Sequence, residues 1–269
     1  MDRRELKTPM GSIAYWVGGV QSGPQLVFLP GLTADHRLFE RQISHFQKSC
    51  RCLVWDAPAH GESRPFQLSF TLDDWARWLR EILERESFDR PILVGQSMGG
   101  YLSQVFMELY PQVAVGFVSI DSAPLERSYI TGWEIFFLKH TKLMYLSIPW
   151  NLLLSWGSTG TATSEYGQRL MRATMEGYRK REYCELAAHG FKMLADGAQS
   201  GRQYKITCPA VLICGEKDAA GSSRRYNKEW TKRTGLPLVW IPGAGHNSNT
   251  DDPQRVNAVI QVLVDRVSA

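Results

Sequence analysis

No stretch of this 269-residue chain approaches the roughly 20 consecutive apolar residues that a membrane-crossing helix needs. The most apolar runs, Ile148 to Leu154 and Val256 to Val264, fall far short, so no membrane partner is expected. The opening "MDRRELKTPMGS" carries charges but no apolar core and is not expected to act as a secretory leader. Charge of either sign is scarce as a block. Lys and Arg number 31 against 27 Asp and Glu, a net charge of +4 with no dense basic run, so nucleic acid is not expected as a partner. The five cysteines show no zinc-ligand spacing, and Cys50 and Cys52 are not expected to pair. They read as reduced, buried thiols of a cytoplasmic protein. There is no repeat, no phosphate-binding glycine loop, no dinucleotide fingerprint and no metal-ligand cluster. No cofactor or metal is therefore expected, and the expected partner is a small-molecule substrate.

What is present is ordinary globular composition, 43% hydrophobic and 22% charged, in a chain long enough to bury a sizeable core. Short apolar runs alternate with amphipathic ones. "SIAYWV" (Ser12–Val17) reads as an early strand, hairpinned through Gly11 to the segment before it. "QLVFLP", "RCLVWD", "PILVGQ", "VGFVSID", "AVLICG" and "PLVWIP" follow. Their near-continuous apolar character suits parallel strands covered on both faces. Helical patterns lie between them. Leu72, Trp75, Ala76, Leu79, Ile82 and Leu83 share a face behind a Thr71/Asp74 capping box, and Pro253 opens a C-terminal helix capped by Asp252. This alternation predicts an α/β fold, a mostly parallel central sheet flanked by helices on both faces.

One region breaks the rhythm. From about Pro124 to Gln203 no strand is evident, and the segment is rich in bulky groups. It reads as a helical lid inserted before a late strand and covering one edge of the sheet. The division expected is 1–123 and 204–269 for the core and 124–203 for the lid.

Gly95-Gln96-Ser97-Met98-Gly99 fits G-x-S-x-G and stands where an apolar strand ends and an amphipathic helix begins. That is the setting of a nucleophile elbow, a sharp turn that lifts a serine hydroxyl off the sheet beside free helix N-terminal N–H groups. With this motif in place, the chain resembles the α/β-hydrolase family, in its small, single-domain, lidded form. The likeness runs over nearly the full length. It is strongest at "FLPGLTADHRLF", "WDAPAHGESRP", "VGQSMGGYL" and the pair "LICGEKD" with "IPGAGHNS".

The resemblance implies site residues. A serine needs a base to take its proton, and His246, after the last predicted strand, matches the family's histidine. His60 falls in a common structural loop of the family. The histidine needs an orienting carboxylate, and Asp218 matches that position. Asp121 and Glu216 compete for the role, since some members take their acid from the position of Asp121. Two backbone N–H groups, those of Leu32 and Met98, would hold the oxyanion. Where the family commonly has His-Gly, this chain has Pro30-Gly31. Trp133, Phe137 and Trp156 of the lid are expected to line a pocket for an apolar or aromatic substrate.

These residues imply a serine hydrolase cleaving an ester, thioester, lactone or carbon–carbon bond next to a carbonyl. Two alternatives stay open: a cofactor-free lyase or dioxygenase using only the His-Asp pair as base, and a ligand receptor that hydrolyses slowly. A serine nucleophile, rather than an aspartate, argues against dehalogenase and epoxide-hydrolase chemistry.

Overall fold

The computed structural model describes residues 1–202 and 205–268. Eight strands form one sheet: β1 (Asp2–Thr8), β2 (Gly11–Gly19), β3 (Gln25–Leu29), β4 (Arg51–Trp55), β5 (Pro91–Gln96), β6 (Gly116–Ile120), β7 (Ala210–Gly215) and β8 (Leu238–Ile241). Their order across the sheet is β1-β2-β4-β3-β5-β6-β7-β8. β2 is antiparallel to both neighbours, and every pairing from β4 to β8 is parallel. The expected hairpin is present, with Thr8 opposite Gly11.

The apolar runs of the central strands are explained by two separate cores. Side chains alternate between sheet faces. Val27, Leu29, Leu93 and Phe117 enter one cluster, packed by α2 (Leu72–Arg85) and α3 (Met98–Leu109). Leu26, Phe28, Ile92, Val94, Val118 and Ile120 enter the other, packed by α1 (Glu40–Phe46) and the C-terminal α11 (Pro253–Ser268). Neither face is left to solvent, so alternation is suppressed. The Thr71/Asp74 capping box forms as expected at the start of α2. Asp252 likewise caps α11, accepting from Arg255 N at 3.0 Å. All five cysteines are free, and four are buried. No helix among the described residues is long and apolar enough to cross a membrane.

Between β6 and β7 lie five helices: α4 (Gly132–Lys139), α5 (Thr141–Ser147), α6 (Trp150–Thr161), α7 (Glu165–Glu176) and α8 (Lys180–Gln199). The expected 203/204 boundary of this insertion falls outside the described residues. Several of the insertion's contacts with the core fall on loops that follow a strand's carboxyl end. On α8, a Cβ at Gly190 would stand 2.3 Å from Leu32 Cδ1, so that helix lies directly against the loop after β3. Near the start of α4, Glu134 accepts from Ser222 Oγ at 2.7 Å, in the loop after β7. Between α6 and α7, Thr163 N and Ser164 N donate to Asp251, which also accepts from Gly245 N at 2.8 Å, in the loop after β8.

Candidate active site

The parallel strands aim their carboxyl ends at one rim of the sheet. Ser97 follows β5 directly and carries φ 48° and ψ −114°, a backbone state that costs an L-residue on the order of 1–3 kcal/mol. Small neighbours make the turn possible. A Cβ at Gly99 would fall 1.8 Å from Leu29 O, and one at Gly95 would fall 2.4 Å from Gly99 O. Ser97 N donates to Ile120 O at 2.9 Å, which fastens the strained turn to the next strand.

His246 comes from β8, separated from β5 by two strands, and its loop must cross both. Over β7 it passes Gly215, where a Cβ would lie 2.1 Å from Gly245 O. Over β6 it meets Asp121, whose Oδ2 accepts from Ser248 N at 2.8 Å and Ser248 Oγ at 2.6 Å, while Oδ1 accepts from Gly215 N at 2.7 Å. At β5 it meets Gln96, whose Nε2 donates to His246 O. The crossing brings His246 Nε2 to 2.9 Å from Ser97 Oγ. On the other side of the ring, Nδ1 lies 3.0 and 3.1 Å from the two oxygens of Asp218. Asp218 also accepts from Ala220 N at 2.9 Å, an Asx turn that fixes the carboxylate.

Of the competing acids, Asp218 is the one bonded to the ring. Asp121 braces the loops, and Glu216 accepts from Gly243 N at 3.2 Å on the exposed side. Burial would depress the His246 imidazolium. The Asp218 charge, its hydrogen bond and the more distant Asp121 outweigh that and hold the ring above its ordinary value. Burial pushes Asp218 up, but the His246 charge and hydrogen bonds pull it below the usual carboxylate range. Asp121 is pushed up to about 7, by burial first and then by the charge of Asp218. Of two like carboxylates in one apolar setting, the one paired with the ring keeps its charge.

The loop after β3 closes the site. A Cβ at Gly31 would lie 2.3 Å from Gln96 Oε1 and 3.1 Å from Ser97 Cβ, so the loop lies directly against the elbow. Thr33 has φ 63°, and its hydroxyl bonds Leu32 O at 2.7 Å and also meets the Tyr183 hydroxyl of α8. The Leu32 and Met98 N–H groups donate to no acceptor among the described residues. His60 is buried, with Nδ1 2.9 Å from Pro58 O and its ring edge-on to Trp75. Burial depresses its pKa to about 4, as suits a packing residue.

Among the described residues two groups approach the spacing of metal ligands, Asp35 with His36 and Asp56, and Asp121 with Cys214 and Asp218. Their carboxylates are engaged by protein donors. Asp35 accepts from Arg37, Asp56 from the His36 and Glu62 N–H groups, and Asp121 and Asp218 as described. Burial holds the Cys214 thiol well above its ordinary value.

The lid aromatics expected at a pocket, Trp133, Phe137 and Trp156, are 74%, 64% and 55% exposed. Helical geometry explains this. Ile135 is the buried residue of α4, and Trp133 and Phe137, two positions either side, lie opposite it. On α6, Leu153 and Leu154 point inward, and Trp156 turns away. Conversely, the reading of the sequence missed Gln96, Gly215 and Asp251. No local signal marks them, because each meets a partner far along the chain: His246 for Gln96, Gly245 for Gly215 and Thr163 for Asp251.

Comparison with known proteins agrees with this architecture. Residues 26–259 match the family model described as "Alpha/beta hydrolase family". A 2-(acetamidomethylene)succinate hydrolase from Mesorhizobium japonicum is 23% identical over 96% of this chain and 94% of its own length. Among solved structures, a hydrolase from Pseudomonas aeruginosa superposes with a TM-score of 0.81 at 20% identity, covering 98% of each chain. A thermophilic esterase from Thermogutta terrifontis gives 0.80 at 18% identity, over 100% of each. With its parallel sheet, strained serine elbow and family match across most of its length, this chain belongs to the α/β-hydrolase family.

Proposed function

We propose that this hydrolase acts through a serine acyl-enzyme on a small carboxylic ester, thioester or lactone, or on a carbon–carbon bond beside a carbonyl. The observation that carries the reading is the continuous relay Ser97 Oγ–His246 Nε2, 2.9 Å, and His246 Nδ1–Asp218, 3.0 Å. Ser97 attacks the carbonyl carbon while its proton passes to His246 Nε2. Asp218, ionised and bonded to Nδ1, fixes the tautomer and stabilises the imidazolium. The N–H groups of Leu32 and Met98, unengaged by the protein, receive the oxyanion. As the intermediate collapses, His246 returns the proton to the leaving group. Water then repeats the sequence on the acyl-enzyme and frees the acid and Ser97.

The inserted helices serve as a lid that shapes substrate entry through their contacts with the loops at the carboxyl ends of the strands. The free thiols suit a reducing compartment, and the protein is read as cytoplasmic. The test is covalent labelling with a fluorophosphonate, beside a panel of p-nitrophenyl esters and thioesters of increasing acyl length. Labelling of wild type and not of Ser97→Ala is expected. A wild-type chain that hydrolyses nothing and never labels, or a Ser97→Ala chain that keeps its turnover, overturns the reading.

A further inference from the structure

We propose that the outer face formed by α4, α5 and α9 (Ser223–Thr234) docks on an anionic lipid surface. Two independent features meet there. The first is apolar. Among the described residues α4 buries only Ile135, while Trp133, Phe136 and Phe137 are 74%, 50% and 64% exposed, and on the next helix, α5, Leu143 and Met144 are 79% and 52% exposed. The rings form one contiguous patch: Trp133 lies 6.2 Å from Phe136, and Phe136 lies 5.9 Å from Phe137. Scattered exposed apolar groups are ordinary in a globular protein, but five in two consecutive short helices mark a contact surface.

The second feature is charge. α9 carries five basic residues against one glutamate. Arg224, Lys228 and Lys232 recur every four residues along one helix side, all exposed and none ion-paired among the described residues. Arg224 donates to Glu216 O at 3.0 Å and Lys228 lies 5.7 Å from the Trp240 ring, so these cations meet no carboxylate at ion-pair distance among the described residues. An open cleft of about 1370 Å³ beside it is lined further by Arg127, ahead of α4, with the basic residues of its lining outnumbering Glu216, Asp218 and Glu229.

The two helices that carry these features, α4 and α9, are joined directly. Glu134, next to Trp133 and one turn before Phe137, accepts from Ser222 Oγ and from the Arg225 guanidinium at 2.6 Å, which clasps α4 to α9. Trp and Phe with Leu and Met seat at the headgroup–acyl boundary, and neighbouring Arg and Lys are drawn to acidic headgroups. That complementarity fits an anionic lipid surface. Composition pointed away from a membrane only because no segment spans one, and docking needs only such a face.

The test is co-sedimentation of the full chain with vesicles of phosphatidylcholine alone and of phosphatidylcholine with phosphatidylserine, at low and high salt. Binding to the anionic vesicles only, weakened by salt, is expected. The triple variant Arg224→Glu, Lys228→Glu, Lys232→Glu should lose it, and Trp133→Ser with Phe137→Ser should weaken it at least about tenfold. Both variants should keep the wild-type melting temperature and small-ester turnover. Should the aromatic variant misfold, the charge variant alone decides. Absence of binding, equal binding to neutral vesicles, or binding unchanged in the charge variant overturns the proposal. So does a concentration-dependent dimer by light scattering that Trp133→Ser dissolves, which assigns the face to a second copy of the chain.

Discussion

Gln96 Nε2 donates to the main-chain oxygen of His246 at 2.9 Å and to Asn247 Oδ1 at 3.1 Å. The residue that precedes the serine thus grips the loop that carries the imidazole. Gln96→Leu keeps the bulk and removes both bonds. The expected result is a fall in kcat of roughly tenfold with fluorophosphonate labelling slowed but retained, since a misplaced reacting group costs rate before it costs fold. Labelling kinetics measured beside the melting temperature check it.

The two buried aspartates should separate by phenotype. Asp218→Asn leaves His246 in the wrong tautomer and should lower kcat by on the order of 10⁴. Asp121→Asn instead puts an amide N–H against one of the donors from Gly215 and Ser248. It should cost about 1.5–3 kcal/mol of stability, with a much smaller loss of kcat. Thermal unfolding and steady-state rates on both variants test the division.

The acid limb of kcat/KM should lie above the ordinary histidine value. The base must be neutral to accept the Ser97 proton, so activity falls as pH drops through the pKa of His246. Burial moves that limb toward lower pH; the Asp218 charge and hydrogen bond move it further the other way, for a net rise. Asp218→Asn should therefore shift the residual limb downward. A profile on wild type that inflects below 6.5 contradicts the assignment.

Glycine substitutions should report where the chain crosses itself. Gly215→Ala drives a Cβ into the main chain of Ala244 and Gly245 and should cut kcat at least about 100-fold by displacing His246. Gly160→Ala on α6 meets nothing within 4 Å and should stabilise by about 0.5–1 kcal/mol without altering rate. Melting curves and kcat for the pair provide the comparison.

Much of this molecule is decided locally. The strands from Gln25 to Ile241 begin and end within a residue or two of their apolar runs, because burial on both faces demands continuous apolar sequence there. The elbow at Ser97 is equally legible, since its strain requires small residues at fixed neighbouring positions. The capping boxes at Thr71 and the proline that opens α11 are likewise local matters of unsatisfied backbone groups.

The remainder is set by distance in space. Whether Asp218 or Asp121 faces the imidazole depends on how the β8 loop crosses two strands, and no spacing along the chain records that path. The sides of α4 and α6 that turn outward depend on which residues the insertion packs inward; hydrophobicity could not distinguish Trp133 and Trp156 from Ile135 and Leu154. Residue chemistry and period therefore fixed the elements, and the family resemblance pointed to Ser97 and His246 as the proposed nucleophile and base. Tertiary packing set Asp218 rather than Asp121 against the imidazole, braced the loops through Gln96 and Asp121, and left the aromatic face in water.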